Sequence, residues 1–445
     1  MSSSDVEAAV RAARGDLSCH LLSFEGPDPY SMVGGLGTRV CGLAGALADD
    51  GVETHLWFVG DPGEPGHERR GALHLHRWCQ WISKHHPGGV YEGEHGKAGD
   101  YATSLPPFLM HSGLLRHLTR GGRSLVIAEE WQTVNAVLHL DWLLRRAGLR
   151  DRVDIYWNAN NVYGFEVIDW RRLQEASIIS TVSRYMKHEM QGHGVDPVVI
   201  PNGLSPDAYL PPDRAGVGAA RRALRGRLVI TKMARFDPDK RWLESIALVA
   251  ALKREGWNPL LIARGGNEPY GREVLDAARN AGLAVETRDN APGDVAGLIG
   301  SLRDTRGADV IELTRHVQPD CRRVLFRSSD VVLANSRHEP FGLVGLEAMA
   351  VGGIAATGCS GEDYAVPGHN ALVLQTGEPD EFVGLYGVLR GSEAQLNAMR
   401  RAGRTTARQY AWPSVIERNL LPRLHGLRGL RKVQRRGPST GRKAS

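Results

Sequence analysis

SDVVLANSRHEPFGLVGLEAMAVGG, residues 329–353, contains a complete strand–turn–helix unit. It begins with an apolar run of strand length, continues through a turn with Pro and Gly, and ends with apolar residues at helical spacing. Two carboxylates, Glu339 on the turn and Glu347 in the helix, interrupt this apolar stretch. Because a carboxylate is costly to remove from water without a partner, each of the two acids needs a donor.

The same unit recurs along almost the whole chain. Strand-like runs alternate with helical spacing in the first half, and after residue 200 the alternation starts again. The predicted strands are 17–24, 53–60, 124–131, 152–159 and 176–183, followed by 227–234, 258–265, 308–313, 329–336 and 353–358. Alternation of this kind forms parallel sheets that are covered on both faces. The sequence therefore predicts an α/β protein with two doubly wound, Rossmann-like domains, residues 1–200 and 201–408. Ligands of such sheets bind at the carboxyl ends of strands, here expected in a central cleft.

The composition is typical of a globular protein without membrane spans. The 445 residues include 42% hydrophobic and 24% charged side chains, and no apolar run approaches the ~20 residues that span a bilayer. The N-terminal segment lacks the apolar core of a secretory signal. The five cysteines are scattered and form no CxxC pair, a pattern typical of reduced thiols. We therefore expect a cytoplasmic protein.

The formal net charge of +5 comes from the C-terminal end of the chain. Residues 424–445 carry seven Lys and Arg and no acid, so the remainder has a small negative excess. The composition predicts a disordered basic tail over residues 425–445. Nucleic-acid or anionic-membrane binding is one interpretation of this tail. No aromatic residues interleave the charges, however, so a solubilising tail is favoured and no nucleic-acid partner is expected.

Three glycines, Gly34, Gly35 and Gly37, lie between the first predicted strand and an amphipathic helix. Glycines at such a turn let backbone N–H groups approach an anion, and the helix N-terminus adds favourable partial charge. A tight turn without a ligand explains the same pattern equally well.

The stretch MARFDPDKRW, residues 233–242, follows the strand that opens the second series. Arg235 and Lys240 lie on the loop at the carboxyl end of that strand, where a guanidinium fork and a point charge could clamp a diphosphate. The alternative is a solvated loop in which these cations neutralise Asp237 and Asp239. The two acids also match a D-x-D metal pattern, but the neighbouring cations disfavour a metal.

The two carboxylates of the opening stretch suit hydroxyl groups of a ligand. Glu339 lies on the loop at the mouth of the expected cleft. Glu347 lies about one turn into the helix, where the vicinal hydroxyls of a ribose could donate to it. Both acids would then need no partner within the protein. The alternative for an acid near a helix start is stabilisation of the helix dipole.

The spacing of Glu339 and Glu347 is an E-x7-E pattern within EPFGLVGLEAMA. It resembles the signature of the retaining glycosyltransferases of GT-B fold, a group of the glycosyltransferase family 4 type that includes the sucrose synthases and is related to the glycogen synthases. GGLG (34–37), IPNGLSPDAY (200–209) and the R-x4-K of Arg235 and Lys240 follow in the family's order, so the resemblance covers residues 17–415. The segment WPSVIERNLLPRL (412–424) is similar to the family's closing helix, expected over 409–424, which returns to the N-terminal domain.

The resemblance implies a GT-B fold and a hexosyltransferase that takes a UDP-, ADP- or GDP-sugar as donor and a carbohydrate or other small molecule as acceptor. By that resemblance Arg235 and Lys240 bind the donor diphosphate, Glu339 holds hydroxyls of the donor sugar, and Glu347 holds the ribose. Arg235, Lys240 and Glu339 are the expected catalytic residues.

The resemblance also assigns backbone contacts to the donor. Those with the sugar and phosphates come from Phe341, Gly342 and Leu343, and those from the N-terminal domain come from Gly35 with Gly34 and Gly37. Cations and helix ends would take the place of a metal, so neither a metal nor another cofactor is expected. The leaving phosphate would itself take the proton of the acceptor.

The chain departs from the family in its N-terminal domain. Many relatives carry a histidine after a strand there, whereas the matching stretches here are IAEEWQT (127–133) and YWNANNVYGFE (156–166). The residues in its place are Glu129, Glu130, Asn158, Asn160 and Asn161. Glu129 or Glu130 could bind an acceptor hydroxyl or amine, and equally one of them could be a simple strand-end acid. The acceptor is therefore expected to differ from a glucan.

Residues 77–108 fit neither a helical nor a strand pattern, and we predict a long irregular insertion there. His85 and His86 lie within it, and His74 and His76 just before it. Their spacing does not match a closed metal site, so surface histidines are the favoured interpretation.

Other functions share parts of this pattern. A sugar phosphorylase or a nucleotide-sugar epimerase can have the same two-domain architecture. A protein without catalytic activity that senses nucleotide sugars, or that binds nucleic acid through its tail, belongs to a different class. The complete set of Arg235, Lys240, Glu339 and Glu347 favours an active transferase.

Overall fold

The computed structural model of the protein describes residues 16–424, so the predicted tail, residues 425–445, lies outside the described residues. Contacts between Cα atoms divide the chain into two units. The first contains the described residues up to Gly203 and from Trp412 onward, and the second runs from Leu204 to Ala411. Among the described residues, no helix is both long enough and apolar enough to cross a bilayer.

The first unit is built on an eight-stranded sheet with the order β3-β4-β2-β1-β5-β6-β7-β8. The sheet is parallel except for β3, which pairs antiparallel with β4. Its strands are β1 Leu17–Leu22, β2 Glu53–Val59, β3 His67–Arg70, β4 Leu73–Trp78, β5 Arg123–Glu129, β6 Val153–Ala159, β7 Ile178–Thr181 and β8 Val198–Val199. The helices of this part of the chain are α1 Gly35–Asp49, α2 Gln80–Ser83, α3 Glu94–Leu109, α4 Leu115–Thr119, α5 Val134–Arg146, α6 Trp170–Ala176 and α7 Arg184–Gln191.

The second unit is built on a seven-stranded parallel sheet with the order β11-β12-β10-β9-β13-β14-β15. Its strands are β9 Leu228–Met233, β10 Pro259–Arg264, β11 Val285–Arg288, β12 Val310–Leu313, β13 Val331–Ala334, β14 Ala355–Thr357 and β15 Leu372–Val373. Its helices are α8 Arg214–Ala223, α9 Trp242–Arg254, α10 Tyr270–Asn280, α11 Val295–Ser301, α12 Pro319–Ser328, α13 Leu343–Ala350, α14 Pro379–Arg390 and α15 Glu393–Gln409.

The predicted α/β class with two doubly wound sheets is confirmed, and all ten predicted strands are present. The prediction missed β3, β4, β8, β11 and β15. Two of these have only two residues, and β3 and β11 read HERR and VETR, without an apolar run. Four of them, β3, β8, β11 and β15, are edge strands, which need few apolar side chains, and β4 lies next to the edge strand β3.

The prediction of an irregular insertion over residues 77–108 is wrong, because β4 ends within it and the helices α2 and α3 account for more than half of it. Tyr101, Leu105 and Leu109 are buried at i, i+4 and i+8, which places them on one face. Tyr101 also donates a hydrogen bond from its hydroxyl to the carbonyl of Trp57 (2.8 Å). The sequence pattern did not indicate this helix, because two prolines lie inside it and two glycines lie in its first half.

The C-terminal segment of the described chain completes the core of the first unit. After α15 come α16 (Trp412–Val415) and further helical turns that end at Arg423. Trp412 is buried among apolar residues of α1, and a Cβ atom at Gly42 or Gly203 would overlap its indole ring. Only glycine at these two positions allows so close an approach of the indole.

A buried ion pair joins α1 to the carboxyl end of β5. Arg39 Nε lies 3.0 Å from Glu129 Oε1, and both side chains are excluded from solvent. The same guanidinium donates to the side chain of Asn202 (2.7 Å) and to the carbonyl of Ile200 (3.3 Å). Arg39 therefore connects a helix, a strand end and the last residues of the first unit's continuous segment.

We expect Arg39→Met to lower the free energy of unfolding by about 3–5 kcal/mol, since Glu129 would be left as a buried charge without its cation. The matched control is Arg171→Met, which removes an exposed i,i+4 pair with Glu175 and should cost about 0.5 kcal/mol or less. Urea unfolding followed by tryptophan fluorescence measures both losses. Equal losses of unfolding free energy in the two variants would show that the buried Arg39–Glu129 pair stabilises the protein no more than an exposed pair does.

Candidate active site

In the second unit, side chains from two loops meet at the carboxyl ends of the neighbouring strands β9 and β13. Lys240 ends a short 3-10 turn after β9, and Glu339 lies on the loop between β13 and α13. Lys240 Nζ lies 2.7 Å from Glu339 Oε2, with about a fifth of each side chain exposed. The structure thus brings together two residues that the sequence singled out separately, 99 positions apart.

Further contacts fix these two loops against each other. The amide of Arg337 donates to the carbonyl of Asp239 (2.7 Å), and its guanidinium lies 3.2 Å from Glu244 Oε1. Asp237 accepts a hydrogen bond from the amide of Asp239 (2.9 Å) and so caps the turn. The acids of the DPD stretch therefore shape the loop, while Lys240 pairs with Glu339 instead of with either of them.

Glu347 also has a cation beside it. Its Oε2 lies 3.3 Å from the guanidinium of Arg322 on α12. Burial raises the pKa of Glu347, and Arg322 opposes that shift. The expectation that Glu339 and Glu347 need no partner within the protein is therefore wrong for both acids. Their cations come from elements remote in sequence, which a local pattern cannot show.

The contact with Arg322 does not saturate Glu347. Although the guanidinium is near, Oε2 of Glu347 has no hydrogen-bond donor of regular geometry among the described residues. A buried carboxylate oxygen in this state is an acceptor available to a ligand hydroxyl.

The helix α13 begins between these two acids. Gly342 is its N-cap, and no side chain caps the first turn. The N–H groups of such a turn have no partner within the helix, and the helix dipole adds positive partial charge. Phe341 is buried against Tyr364 and Tyr410, so its ring belongs to the core and only its backbone faces the turn. Leu343, the first helical residue, is partly exposed.

Sequence reasoning missed a third acid, Glu362, which follows β14. It is buried, and neither of its oxygens has a regular hydrogen-bond donor among the described residues. A Cβ atom at Gly342 would lie 3.0 Å from its Oε1, which places the carboxyl beside the start of α13. Burial raises the pKa of Glu362 to about 8, and the nearby Glu339 adds to the shift. Glu362 is therefore mostly protonated at neutral pH. An acid four residues after a predicted strand, in SGEDY, was the available signal.

Lys232 was missed as well, although a lysine inside the apolar strand LVITKM is unusual. It is fully buried, and its Nζ lies 2.6 Å from Asn335 Oδ1 at the end of β13. Burial lowers the pKa of Lys232 to about 7, and Lys240 adds to the shift.

Arg235 differs from the other predicted donor ligands. Its carbonyl accepts a hydrogen bond from the indole of Trp242 (2.8 Å), which holds its backbone. Its side chain is exposed and has no ion-pair partner among the described residues. The structure therefore places Arg235 on the same loop as Lys240 but outside the pair with Glu339.

In the first unit, the glycine-rich turn already holds an anionic group, and that group is the carboxylate of Glu25. Glu25 Oε2 accepts hydrogen bonds from the amides of Gly34 (3.0 Å) and Gly37 (2.9 Å). A Cβ atom at Gly37 would lie 2.9 Å from this oxygen, whereas Gly34 and Gly35 border open space. The predicted phosphate contacts from Gly34 and Gly37 are therefore not available in this structure, because their N–H groups are in use.

The two acids at the end of β5 have different environments. Both oxygens of Glu129 are occupied: Arg39 contacts Oε1, and the side-chain amides of Asn158 (2.8 Å) and Asn160 (2.7 Å) donate to Oε2. Glu129 is therefore the strand-end acid of the two alternatives. Asn161 accepts a hydrogen bond from the amide of Tyr163 (2.8 Å) and turns the chain.

Glu130 has the features of a ligand-binding residue. Its backbone adopts φ 67° and ψ 167°, a strained region that is almost restricted to glycine. Its Oε1 accepts a hydrogen bond from the amide of Asn160 (2.7 Å). Burial raises the pKa of Glu130 to about 8, and the charges of Glu129 and Glu25 add to the shift. Backbone strain together with a perturbed carboxyl group is typical of functional sites.

Tyr91 and Glu94, from the segment 77–108, lie near Glu25 and Glu130 and belong to the same acidic region of the first unit. The hydroxyl of Tyr91 donates to Glu25 Oε1 (2.6 Å), and the charges of Glu25, Glu130 and Glu94 all raise the pKa of Tyr91 beyond the effect of burial. Gln132 donates to Glu94 Oε1 (2.6 Å), while its own carbonyl oxygen has no donor among the described residues. Three carboxyl groups thus lie around one tyrosine.

Two family models match the chain, in order. The model described as Glycosyltransferase Family 4 matches residues 33–208, and the model described as Glycosyl transferases group 1 matches residues 271–385. A D-inositol 3-phosphate glycosyltransferase from Segniliparus rotundus is 24% identical over 247 residues, which are 54% of this chain and 50% of that protein. The chain therefore spans about half the length of this curated relative.

Solved structures of similar fold cover nearly the whole chain. Sucrose-phosphate synthase from Thermosynechococcus elongatus has a TM-score of 0.60 at 17% identity, covering 94% of this chain and 98% of that one. The catalytic domain of starch synthase IV from Arabidopsis thaliana, bound to ADP and acarbose, has a TM-score of 0.65 at 16% identity, covering 91% and 99%. Since the two family models follow each other along a chain of two parallel α/β units with the fold of these structures, the chain belongs to the GT-B glycosyltransferases of the family 4 type.

Proposed function

We propose that this protein moves a sugar from a nucleotide-sugar donor to a hydroxyl or amine of a small-molecule acceptor, with retention at the anomeric carbon and without a metal ion in the transfer step. The observation that carries the proposal is the pair of Lys240 and Glu339 beside the uncapped start of α13. Retaining chemistry and metal independence rest on the E-x7-E pattern and on this arrangement of charge.

The donor diphosphate is expected at the N-terminus of α13, where free N–H groups and Lys240 offer positive charge. Without a donor, the charge of Lys240 is neutralised by Glu339 at 2.7 Å. Phosphate oxygens would compete with that carboxylate for the ammonium group. Glu339 would then be released to accept hydrogen bonds from hydroxyls of the donor sugar, so that binding of the diphosphate prepares the sugar site.

Two more acids fit this arrangement. Glu347 keeps one buried oxygen without a regular donor, which suits the vicinal hydroxyls of a ribose. Glu362, whose pKa is about 8, adds no second full negative charge beside Glu339 at neutral pH. In its protonated form Glu362 donates one hydrogen bond, and the donor sugar offers acceptor oxygens for it.

The chemical step requires stabilisation of the leaving diphosphate. Lys240 and the N-terminus of α13 oppose the negative charge that develops as the bond to the sugar breaks, which is the task of a divalent metal in other enzymes. The acceptor attacks the face that the diphosphate leaves, and the leaving phosphate oxygen takes the acceptor proton. No protein side chain has to act as a base in this scheme.

The first unit supports an acceptor without a phosphate group. The relative from Segniliparus rotundus is named for an inositol 3-phosphate, but here Glu25 covers the N–H groups of Gly34 and Gly37. Glu94 adds another carboxyl group nearby, and Glu130, whose pKa is raised to about 8, offers a hydrogen bond instead of a full negative charge. Such surroundings repel a phosphate and suit hydroxyl or amine donors. We infer that Glu130 binds the acceptor and that Glu129 holds the strand ends in place.

The function is tested by incubating the protein with UDP-, ADP- and GDP-sugars and a panel of neutral and amino-substituted cyclitols and sugars, in the presence of excess EDTA. We expect release of one nucleoside diphosphate and a product that NMR shows to keep the donor's anomeric configuration. An inverted product, or activity that returns only with Mg²⁺ or Mn²⁺, would contradict the mechanism. Formation of sugar 1-phosphate from inorganic phosphate without a nucleotide would instead identify a phosphorylase.

Lys240→Ala and Arg235→Ala should each lower kcat by roughly 10²–10³, since each removes a positive charge that we expect beside the leaving diphosphate, an effect of about 3–4 kcal/mol. The control Lys253→Ala removes a lysine of α9 that pairs with Asp309, and kcat should stay unchanged. Steady-state kinetics at saturating donor distinguishes the three variants. A normal kcat in Lys240→Ala would remove Lys240 from the transfer step.

The two acids of the E-x7-E pattern should separate in calorimetry with the free nucleoside diphosphate. Glu347→Gln should weaken its binding about 10- to 150-fold, because a hydrogen bond to a charged acceptor contributes about 1.5–3 kcal/mol. Glu339→Gln should leave this binding no weaker, because the substitution frees Lys240, yet it should impair transfer. If Glu339→Gln weakens the nucleoside diphosphate as much as Glu347→Gln does, the assignment of the two acids is wrong.

A further inference from the structure

Five histidines gather on one face of the first unit's sheet, across β1, β2, β4 and β3. The strand register aligns His20 with His55, His55 with His74, and His67 with His76. Aligned residues of neighbouring strands point to the same face, so their rings stack. Ring centroids are 4.7 Å apart for His20 and His55, 4.5 Å for His55 and His74, and 4.7 Å for His67 and His76.

Three of these residues converge as metal ligands would. His55, His74 and His76 each bring one ring nitrogen within 4.8 Å of the other two. His55 Nδ1 and His76 Nε2 are 3.0 Å apart. Since Zn–N bonds are ~2.0–2.1 Å in a tetrahedral site, ligand nitrogens stand about 3.3 Å from each other. One pair is thus already at this spacing, and a ring rotation of a partly exposed histidine closes the longer separation. His74 and His76 are partly buried residues of the strand β4, whereas the sequence analysis favoured surface histidines.

Neighbouring side chains supply the outer shell that metal-bound histidines require. Glu53 Oε1 lies 3.6 Å from His55 Nε2 and 4.0 Å from His74 Nε2. His67 Nε2 lies 3.3 Å from His74 Nδ1, which fixes that ring from its other side. Imidazoles that bind a metal commonly donate their second N–H to a carboxylate or another acceptor. Arg69 on β3 is aligned with His74 on β4, and its Nε donates a hydrogen bond to the carbonyl of Gly71.

We propose that His55, His74 and His76 form a binding site for a transition-metal dication of the Zn²⁺ type, with water completing the coordination and Glu53 in the outer shell. Imidazole ligands suit Zn²⁺ and its neighbours, whereas Mg²⁺ and Ca²⁺ prefer oxygen ligands. The site is structural, and it does not rest on the proposed transferase function. Glu53 is the first residue of β2, whereas Glu25 and Glu130 follow the carboxyl ends of the parallel strands β1 and β5. Glu53 therefore lies at the other end of the sheet from these two acids. The metal would tie the β3–β4 hairpin to β2.

The test uses the full-length protein without a polyhistidine tag, stripped with a chelator and then dialysed. Calorimetric titration with ZnCl₂, together with elemental analysis, should give one ion per chain, and the ion should raise the thermal midpoint. Co²⁺ in place of Zn²⁺ should show the visible absorption of a tetrahedral site. Transfer activity, measured well below the thermal midpoint, should be the same with and without zinc.

Substitutions of single histidines test which residues bind the ion. His74→Gln and His76→Gln should each weaken Zn²⁺ binding by more than the roughly 10- to 100-fold that loss of an outer-shell partner costs. His85→Gln, which replaces an exposed histidine, should bind as the unaltered protein does. Circular dichroism confirms that each variant is folded, and His74, at the start of β4, is the replacement that disturbs the sheet least. Unchanged zinc binding in a folded His74→Gln variant, or no binding by the unaltered protein, would overturn the site. A loss of transfer activity on removal of zinc from folded protein would overturn its structural role.

Discussion

A carboxylate that leaves water needs a cation or several hydrogen-bond donors, and this constraint organises the polar interior of both units. Glu129 satisfies it completely, with Arg39 on one oxygen and two asparagine amides on the other. Glu25 satisfies it with backbone N–H groups of the glycine-rich turn. Glu130 and Glu362 do not satisfy it, and each instead holds a proton to a pKa of about 8. The fully partnered Glu129 and Glu25 thus fix a strand end and a turn, whereas Glu130 and Glu362 keep hydrogen-bonding capacity that the protein does not use.

The sequence was sufficient for the architecture because central parallel strands are continuous apolar runs between amphipathic helices. Prediction from the sequence failed for elements that lack this apolar pattern. The edge strand HERR carries no apolar pattern. The helix α3 was not predicted because it contains prolines and glycines, even though Tyr101, Leu105 and Leu109 share one face. In each case long-range packing determines a structure that local preference disfavours.

The sequence was enough to predict which loops carry the candidate site, but not which side chains pair with each other there. Motif spacing placed Lys240 and Glu339 on loops after strands and Glu347 in the following helix, and the structure shows them there. The pairing of Lys240 with Glu339, the position of Arg322 beside Glu347 and the occupation of the glycine turn by Glu25 all join residues remote in sequence. One sequence without its fold contains no information on which of several acids meets which cation.

The return of the chain to the first unit at Trp412 has a consequence for synthesis on the ribosome. Trp412, Ile416 and Leu420 belong to the same apolar core as Val40 and Leu43 of α1, although residues 204–411 of the second unit separate them in sequence. A nascent chain therefore exposes the apolar side of α1 until the whole second unit has been translated. Exposed apolar surface of this kind attracts chaperones and promotes aggregation. A message truncated before codon 412 would yield a first unit that lacks one wall of its core.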